Sequence, residues 1–234
     1  SCPIDDASIC NPLNQGRRNT VINPLNRRFM FLQGPHGPFF HKLAKMLRTA
    51  GGDVWRVGFN AGDRAFWFGG KGYIPFRDTL DAWPDRFAEI VGEHDITDIV
   101  LYGDTRPIHA EAIKIAKAKG LTIHVFEEGY MRPFWVTYER GGANGHSKLM
   151  DLTVPDMQDA LALSDLEIAA PPAHWGDMRQ HVFYGALYHW FVLFRNGQYR
   201  KMARHRELPV LTETMLYTKR LLLMPLIALD RKIA

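Results

Sequence analysis

Short apolar runs alternate along the chain with longer segments in which apolar residues recur every three or four positions. Four of these runs have the composition of buried β-strands: RFMFLQG, DVWRVGF, TDIVLYG and LTIHVF. Between the first two, FFHKLAKMLRTAG has helical spacing and reaches Gly51 and Gly52, which suit a helix C-terminus. Strands that alternate with helices predict a parallel sheet with right-handed crossovers.

The segment between the third and fourth runs, DTRPIHAEAIKIAKAKG, is predicted to be a helix with Pro107 near its start. A further helix is predicted around 83–91, capped by Asp81 and with Pro84 in its first turn. We therefore predict an α/β fold for residues 28–150, a Rossmann-like parallel sheet with flanking helices. Ligands of such sheets bind outside the carboxyl ends of the strands, in the loops that follow them.

The segments on either side of this domain have different patterns. Residues 1–27 are rich in Asn, Pro and Ser, lack the apolar core of a signal peptide, and are predicted to form a flexible leader. After VTYERGGANG, which resembles a short strand with a glycine-rich turn, residues 151–234 are predicted to be mostly helical. The longest apolar stretches there are too short to span a bilayer core of about 30 Å. The predicted helices lie near 157–168, 178–194 and 211–231, with Pro225 kinking the last.

The net charge of +4 comes from the end of the chain, since ten Lys and Arg follow Asp177 against four acidic residues from Asp177 onward. This basic segment is interleaved with aromatic residues. It favours an anionic membrane surface over nucleic acid, because no zinc-finger, RRM or helix-turn-helix signature accompanies it. A solvated helical face accounts for the same pattern equally well. Cys2 and Cys10 offer neither a disulfide framework nor metal-ligand spacing, which fits a reducing compartment.

The first candidate for chemistry is GDTRPIH, at the junction between a predicted strand and a predicted helix. Asp104 and Thr105 could cap the helix, whose free N–H groups could receive a phosphate or a sugar carboxylate. Arg106 adds a bidentate donor. The alternatives are that Asp104 is only a cap and that His109 is only a packed helix residue.

The second candidate is FEEGYMRPFWVTYERGG, which is predicted to be a loop after the next strand. If the two strands are neighbours, Asp104 and either Glu127 or Glu128 can face one crevice. Paired carboxylates suit glycosyl chemistry, in which one stabilises or attacks an oxocarbenium-like centre and the other manages a proton. The alternative is a structural ion pair of Glu127 or Glu128 with Arg132.

Two further motifs, QGPHGPFF and FNAGDRAFW, follow the first two predicted strands. Their glycines could let a ligand approach the backbone closely, although Asn60, Asp63 and Arg64 could simply close a turn, and His36 is interpreted as a turn residue. Neither motif has the GxGxxG spacing of dinucleotide sites. The chain also lacks the GxxxxGK[ST], HExxH, GxSxG and paired CxxC motifs, which argues against P-loop NTPases, zincins, serine hydrolases and zinc ribbons.

Taken together, QGPHGPFF, FNAGDRAFW, YGDTRPIH and FEEGYMRPFWVTYERGGANG, in this order, resemble the KpsS/LipB capsule polysaccharide biosynthesis and export family. The resemblance covers about half the chain, 28–145. It implies the N-terminal half of a GT-B-type glycosyltransferase that transfers β-linked 3-deoxy-D-manno-octulosonic acid (Kdo) from CMP-Kdo to a phosphatidylglycerol-type lipid acceptor. It also implies a cytoplasmic protein peripheral to the inner membrane, with no metal and no further cofactor.

The resemblance also suggests roles for individual residues. The family's loop motif of two acids, glycine, aromatic, aliphatic residue and arginine falls on Glu127 to Arg132, although relatives have Asp where this chain has Glu128. By that similarity Glu128 is the candidate nucleophile or ion-pair stabiliser, with Asp104 or His109 assisting proton transfer and Glu127 as the alternative acid. The implied substrate contacts are Gln33, Gly34, Asn60, Asp63, Arg64, Arg106, Tyr130 and Arg132.

Members of this family continue into a second Rossmann-like domain, in which an HP dipeptide and a serine-rich loop hold the CMP-sugar. Neither feature occurs in this sequence. The chain alone is therefore expected to be inactive. Two alternatives stay open: a non-catalytic component that binds the inner membrane or the capsule export complex, and a degenerate sugar-binding domain without chemistry.

Overall fold

The computed structural model describes residues 26–129, 136–163 and 179–202, with a few isolated residues between 212 and 223. Its centre is a six-stranded sheet in the order β3-β2-β1-β4-β5-β6, and the first five strands of this order are parallel to their neighbours. The predicted Rossmann-like α/β fold is confirmed. The strands are β1 (Arg28–Phe31), β2 (Asp53–Gly58), β3 (Tyr73–Pro75), β4 (Asp98–Tyr102), β5 (Thr122–Glu128) and β6 (Val136–Arg140).

The sheet differs from the prediction at one edge, where β6 runs antiparallel to β5. Only residues 129–135 connect these two strands. A parallel crossover needs a dozen or more residues, so this short connection can only form a hairpin.

Among the described residues, six helices surround the sheet or follow it. They are α1 (Phe39–Thr49), α2 (Ala61–Ala65), α3 (Trp83–Glu93), α4 (Pro107–Ala118), α5 (Val154–Ala162) and α6 (Arg179–Phe194). A 3-10 turn at Leu80–Ala82 precedes α3, so Asp81 lies within that turn and is not the predicted helix cap. The helix predicted near 157–168 begins earlier, at Val154, because Thr153 and Asp156 form a capping box around Pro155.

Each face of the sheet packs against its own group of helices. On one face, Leu32, Ile99 and Val125 belong to a core that includes apolar residues of α3 and α4. On the other face, Phe31 and Val100 pack with Phe40 and its neighbours on α1. Because both faces are covered, alternate residues of each strand enter different cores, and the strands read as nearly continuous apolar runs.

Beyond the sheet, α6 packs against α2, and Tyr188 of α6 is buried. Within the described residues, no helix combines the length and the apolar character needed to cross a membrane. Most of the predicted leader (residues 1–25), the greater part of the last predicted helix and Pro225 lie outside the described residues.

Candidate functional site

The strand order reverses between β1 and β4, so the chain leaves their carboxyl ends towards opposite faces of the sheet. The space between the two connections is a crevice of the kind that binds ligands in open α/β sheets. A cavity of about 470 Å³ lies there. Its walls come from the loops after β1, β2 and β4, from α6, and from the 3-10 turn Asn196–Tyr199. The polar residues on its walls are Gln33, His36, Asn60, Arg106, Tyr188, His189 and Asn196.

Four of the predicted substrate-contacting residues line this cavity: Gln33, Gly34, Asn60 and Arg106. Three of them join one hydrogen-bond network with Tyr188. Asn60 Nδ2 donates to the Tyr188 hydroxyl at 2.7 Å, and Gln33 Nε2 approaches the same oxygen at 3.4 Å. Arg106 Nη1 donates to Gln33 Oε1 at 2.8 Å.

Asp63 and Arg64, also predicted to contact substrate, do not line the cavity. Asp63 is fully buried and forms an ion pair with Arg56, whose Nη2 lies 3.1 Å from Asp63 Oδ1. Burial raises the pKa of Asp63, while the charge of Arg56 and a hydrogen bond from the Phe59 N–H oppose that shift. Arg64 donates to the Trp67 carbonyl at 3.0 Å and lies over the ring of Tyr73. Both side chains are held by neighbours within the fold.

Gly37 of QGPHGPFF and Gly62 of FNAGDRAFW lie in close contact with aromatic side chains of α6. A Cβ added at Gly62 would lie 2.5 Å from the ring of Tyr188, and one at Gly37 would lie 2.9 Å from the ring of Tyr184. Gly37 also has a φ of +100°, a conformation that residues with a Cβ rarely adopt. The sequence suggested that these glycines let a ligand come close to the backbone. At these two positions, side chains of α6 occupy that space instead.

A second group of predicted residues, here called the acidic edge, consists of Asp104, Glu127 and Glu128. The prediction that their strands are neighbours is confirmed, because β4 pairs with β5 in parallel and the Gly103 N–H donates to the Phe126 carbonyl at 2.8 Å. The two glutamates are the last residues of β5 and pair with β6, so they lie on a strand and not in the predicted loop. A Cβ at Gly103 would come within 3.9 Å of Glu127 Oε1.

Asp104 does not cap α4. The N-cap residue is Arg106, without a side-chain cap bond, because Pro107 at the first helical position keeps Arg106 extended and leaves Asp104 too early in the chain. Instead, the buried Oδ2 of Asp104 accepts a hydrogen bond from the Ala143 N–H at 3.0 Å and lies 3.1 Å from His146 Nδ1. Its Oδ1 has no hydrogen-bond partner among the residues that the structure describes.

His109 is buried within the first turn of α4, and its Nδ1 lies 2.7 Å from the Gly103 carbonyl oxygen. Burial, with the charge of Arg106 adding to it, lowers the pKa of His109 to about 3. The imidazole is therefore neutral near pH 7 and donates its Nδ1 proton to Gly103. This contact holds the turn that carries Asp104.

Two of the predicted site residues, Tyr130 and Arg132, lie outside the described residues. The proposed pairing of a glutamate with Arg132 therefore stays a prediction. Within the described part of the chain, no group of three or more His, Cys, Asp or Glu side chains is arranged to hold a metal ion.

Sequence reasoning did not identify Tyr188, His189 and Asn196 on the cavity wall, nor His146 beside Asp104. The apolar residues of the helix that carries Tyr188 and His189 are spread around its circumference, so no periodic pattern marks the face that packs on α2. Two features of the sequence could have indicated this packing: the aromatic residues of the α6 segment, and the glycines Gly37 and Gly62 that its tyrosines contact.

The chain has three informative similarities to known proteins. A family model described as "Capsule polysaccharide biosynthesis protein" matches residues 97–224, more than half of the chain. The capsule polysaccharide export protein KpsS of Escherichia coli is 39% identical over 135 residues, which cover 58% of this chain and 34% of KpsS. The capsule polysaccharide modification protein LipB of Neisseria meningitidis is 36% identical over 196 residues, which cover 81% of this chain and 46% of LipB. The chain spans less than half the length of these relatives.

Proposed function

The chain belongs to the capsule polysaccharide biosynthesis family that includes KpsS and LipB, and from this premise we propose that it is the acceptor-side half of a capsule glycosyltransferase. The family membership gives a role in capsule polysaccharide biosynthesis, export or modification. The proposed reaction is the transfer of Kdo from CMP-Kdo to a phosphatidylglycerol-type lipid with retention of configuration. The protein is proposed to act in the cytoplasm, at the surface of the inner membrane.

One observation carries this proposal: β4 and β5 are neighbours, so Asp104 and the two glutamates emerge at the same edge of the sheet. In the proposed mechanism the Glu128 carboxylate attacks the anomeric carbon and CMP leaves, which forms a glycosyl ester. A hydroxyl of the acceptor then attacks the same carbon, its proton passes to Asp104, and the Glu128 carboxylate is released. Both displacements invert the carbon, so the overall configuration is retained.

Other residues of the site have supporting roles in this proposal. His109 keeps the Gly103 turn in place as a neutral donor, and Arg106 binds an anionic group of the substrate. Glu127 lies next to Gly103 and is the alternative nucleophile. The donor half and its CMP-binding residues are expected in the part of the relatives that this chain does not match.

The test is Glu128→Gln in the full-length protein, assayed for transfer of Kdo from CMP-Kdo to lipid. Loss of the nucleophile should lower turnover by about 1,000-fold or more, without change in the unfolding midpoint. Glu89→Gln on α3 is the matched control, because Glu89 is an exposed acid that pairs with Arg86 and does not line the cavity. Near-normal turnover of Glu128→Gln would refute its role as nucleophile, and the same assay on Glu127→Gln would then test the alternative acid.

A non-catalytic component of the capsule export complex is the second candidate function. It is favoured by the outer face of α6, which exposes Phe183, Trp190 and Phe194, with the exposed Arg195 directly after the helix. Aromatic and basic side chains in this arrangement suit an anionic membrane surface. Both candidates predict sedimentation with anionic vesicles, but only the enzyme predicts transfer of Kdo. Failure of the protein to sediment with such vesicles would exclude the membrane role of this face.

A further inference from the structure

The charge on the walls of the cavity is one-sided. Arg106 lies on the wall, and its guanidinium carries a full positive charge. Among the described residues that line the cavity there is no Asp or Glu. The nearby Asp63 is buried behind Tyr188 and is paired with Arg56. A ligand with a negative charge is therefore the complement of this cavity.

The amide side chains on the wall have fixed orientations. Asn60 Oδ1 accepts from the Asp63 N–H at 2.9 Å, and Asn196 Oδ1 accepts from the Ala61 N–H at 3.0 Å. The amide nitrogen of Asn196 is thus the group that can donate to a ligand. Donors of this kind suit the hydroxyl groups of a sugar or a polyol.

A chain of hydrogen bonds connects the buried ion pair to Arg106. The Tyr188 hydroxyl donates to Asp63 Oδ1 at 3.4 Å, because a carboxylate can only accept. The Tyr188 hydroxyl oxygen then accepts hydrogen bonds from the side-chain amides of Asn60 and Gln33. With its nitrogen donating to Tyr188, Gln33 accepts a hydrogen bond from Arg106 Nη1 through its Oε1. Burial and the Asp63 charge raise the pKa of Tyr188, so the hydroxyl remains protonated and the direction of these bonds is fixed.

The size of the cavity limits the ligand. A volume of about 470 Å³ lies at the lower end of the range for small-molecule sites, about 300–1,000 Å³. Phe59, Ile108 and Val192 supply an apolar wall on which the C–H groups of a sugar or polyol can pack. These properties together select a compact molecule that has one anionic group and several hydroxyls.

We propose that the cavity beneath α6 binds a compact hydroxylated anion through Arg106, and that Tyr188 is a positioning residue that holds Arg106 through Gln33. The assignment of this ligand to an acceptor rests on the proposed function. The anionic group can be the phosphate of a glycerophosphate headgroup or the carboxylate of a sugar acid, since both have the same chemistry towards Arg106.

The first experiment is calorimetric titration of the protein with sn-glycerol 3-phosphate and with glucuronate, compared with the neutral glycerol and glucose. Both anions should bind at least about 10-fold more tightly than their neutral counterparts, because a charge-assisted bond to Arg106 is lost in the neutral molecules. Tighter binding of glycerol 3-phosphate would identify a headgroup, and tighter binding of glucuronate a sugar acid. Absence of binding, equal binding of neutral molecules, or equal binding of inorganic phosphate would overturn the proposal.

The second experiment tests the role of Tyr188 with a double-mutant cycle. Arg106→Gln should weaken anion binding by about 10-fold or more, and Arg86→Gln, on the exposed face of α3, should leave it unchanged. Tyr188→Phe keeps the ring that packs on Gly62 and should weaken binding several-fold. In the Arg106→Gln background it should have no further effect. An equal loss in both backgrounds would show that Tyr188 does not act through Arg106.

These outcomes separate the inference from the proposed function. Binding of the anion by a protein that transfers no Kdo would refute the proposed function and support the inference. Transfer of Kdo by a protein that binds neither anion in titration would do the reverse.

Discussion

Asp98 is the first residue of β4 and Asp104 lies two residues after its last one, and both carboxyl groups are buried. Asp98 accepts hydrogen bonds from Arg27 Nε at 3.1 Å, Thr97 Oγ1 at 2.6 Å and His124 Nε2 at 2.8 Å. Burial raises the pKa of Asp98, but the bonds from His124, Arg27 and Thr97 together outweigh it and lower the pKa to about 2. Every oxygen of this carboxylate has a strong donor.

Asp104 has a different environment, although its side chain is only 1% exposed. One oxygen is bound by the Ala143 N–H and by His146, and the other has no hydrogen-bond partner among the described residues. Buried polar groups in folded proteins are almost always paired with protein atoms or with ordered water. The comparison therefore separates a carboxylate at the amino end of β4, whose two oxygens are both bound by side chains, from a carboxylate just after its carboxyl end, whose Oδ1 is bound by no described residue.

The strongest test of this comparison is the stability of two alanine variants. Asp98→Ala leaves Arg27 and His124 without their carboxylate and should lower the free energy of unfolding by about 3 kcal/mol. Asp104→Ala loses mainly the bond from the Ala143 N–H and should cost about 1–2 kcal/mol. Urea denaturation of both variants measures the difference. Equal losses, or a larger loss for Asp104→Ala, would contradict the assignment of the structural role to Asp98.

Acid unfolding gives a second, smaller effect. The ordinary pKa of Asp is about 3.9, and that of Asp98 in the fold is about 2. Since the folded-state value is the lower one, the ionised carboxylate stabilises the fold above about pH 4, and this contribution is lost as the pH falls from about 4 to about 2. It should amount to about 2 kcal/mol.

The matched variant for this measurement is Asp98→Asn, which cannot titrate at this position. Its free energy of unfolding should fall less than that of the wild type between about pH 5 and about pH 2. Parallel pH profiles of the two proteins would show that Asp98 is not a source of the acid sensitivity.

The smallest effect is expected for His146→Ala. The side chain of His146 is 66% exposed, so its contact with Asp104 is screened by water and should contribute at most about 0.5 kcal/mol. Thermal unfolding of the variant measures this contribution. A loss as large as that of Asp104→Ala would mean that Asp104 is as firmly paired as Asp98, and the contrast between the two ends of β4 would disappear.

The sequence predicted the central β-α-β unit and the adjacent placement of Asp104 and the glutamates, because buried strands and amphipathic helices have distinct periods. It was wrong about the cap of α4, because the effect of Pro107 on Arg106 outweighed the preference of Asp104 for a cap. It also placed Glu127 and Glu128 in a loop, since a charged pair on an edge hairpin lacks the pattern of a buried strand.

The alternation of strands and helices from β1 to β5, apart from α2 and β3, and the sheet edge at which function is expected were determined by the sequence alone, since they depend on local patterns of apolar residues. Only the tertiary structure decided which side chains meet at that edge. Asn60 and Tyr188 are 128 positions apart, and Asp104 and Ala143 are 39 apart. The first contact depends on how α6 packs against α2, and the second depends on where the chain returns after β6. The apolar and polar residues of α6 follow no helical period from which its packing could be predicted.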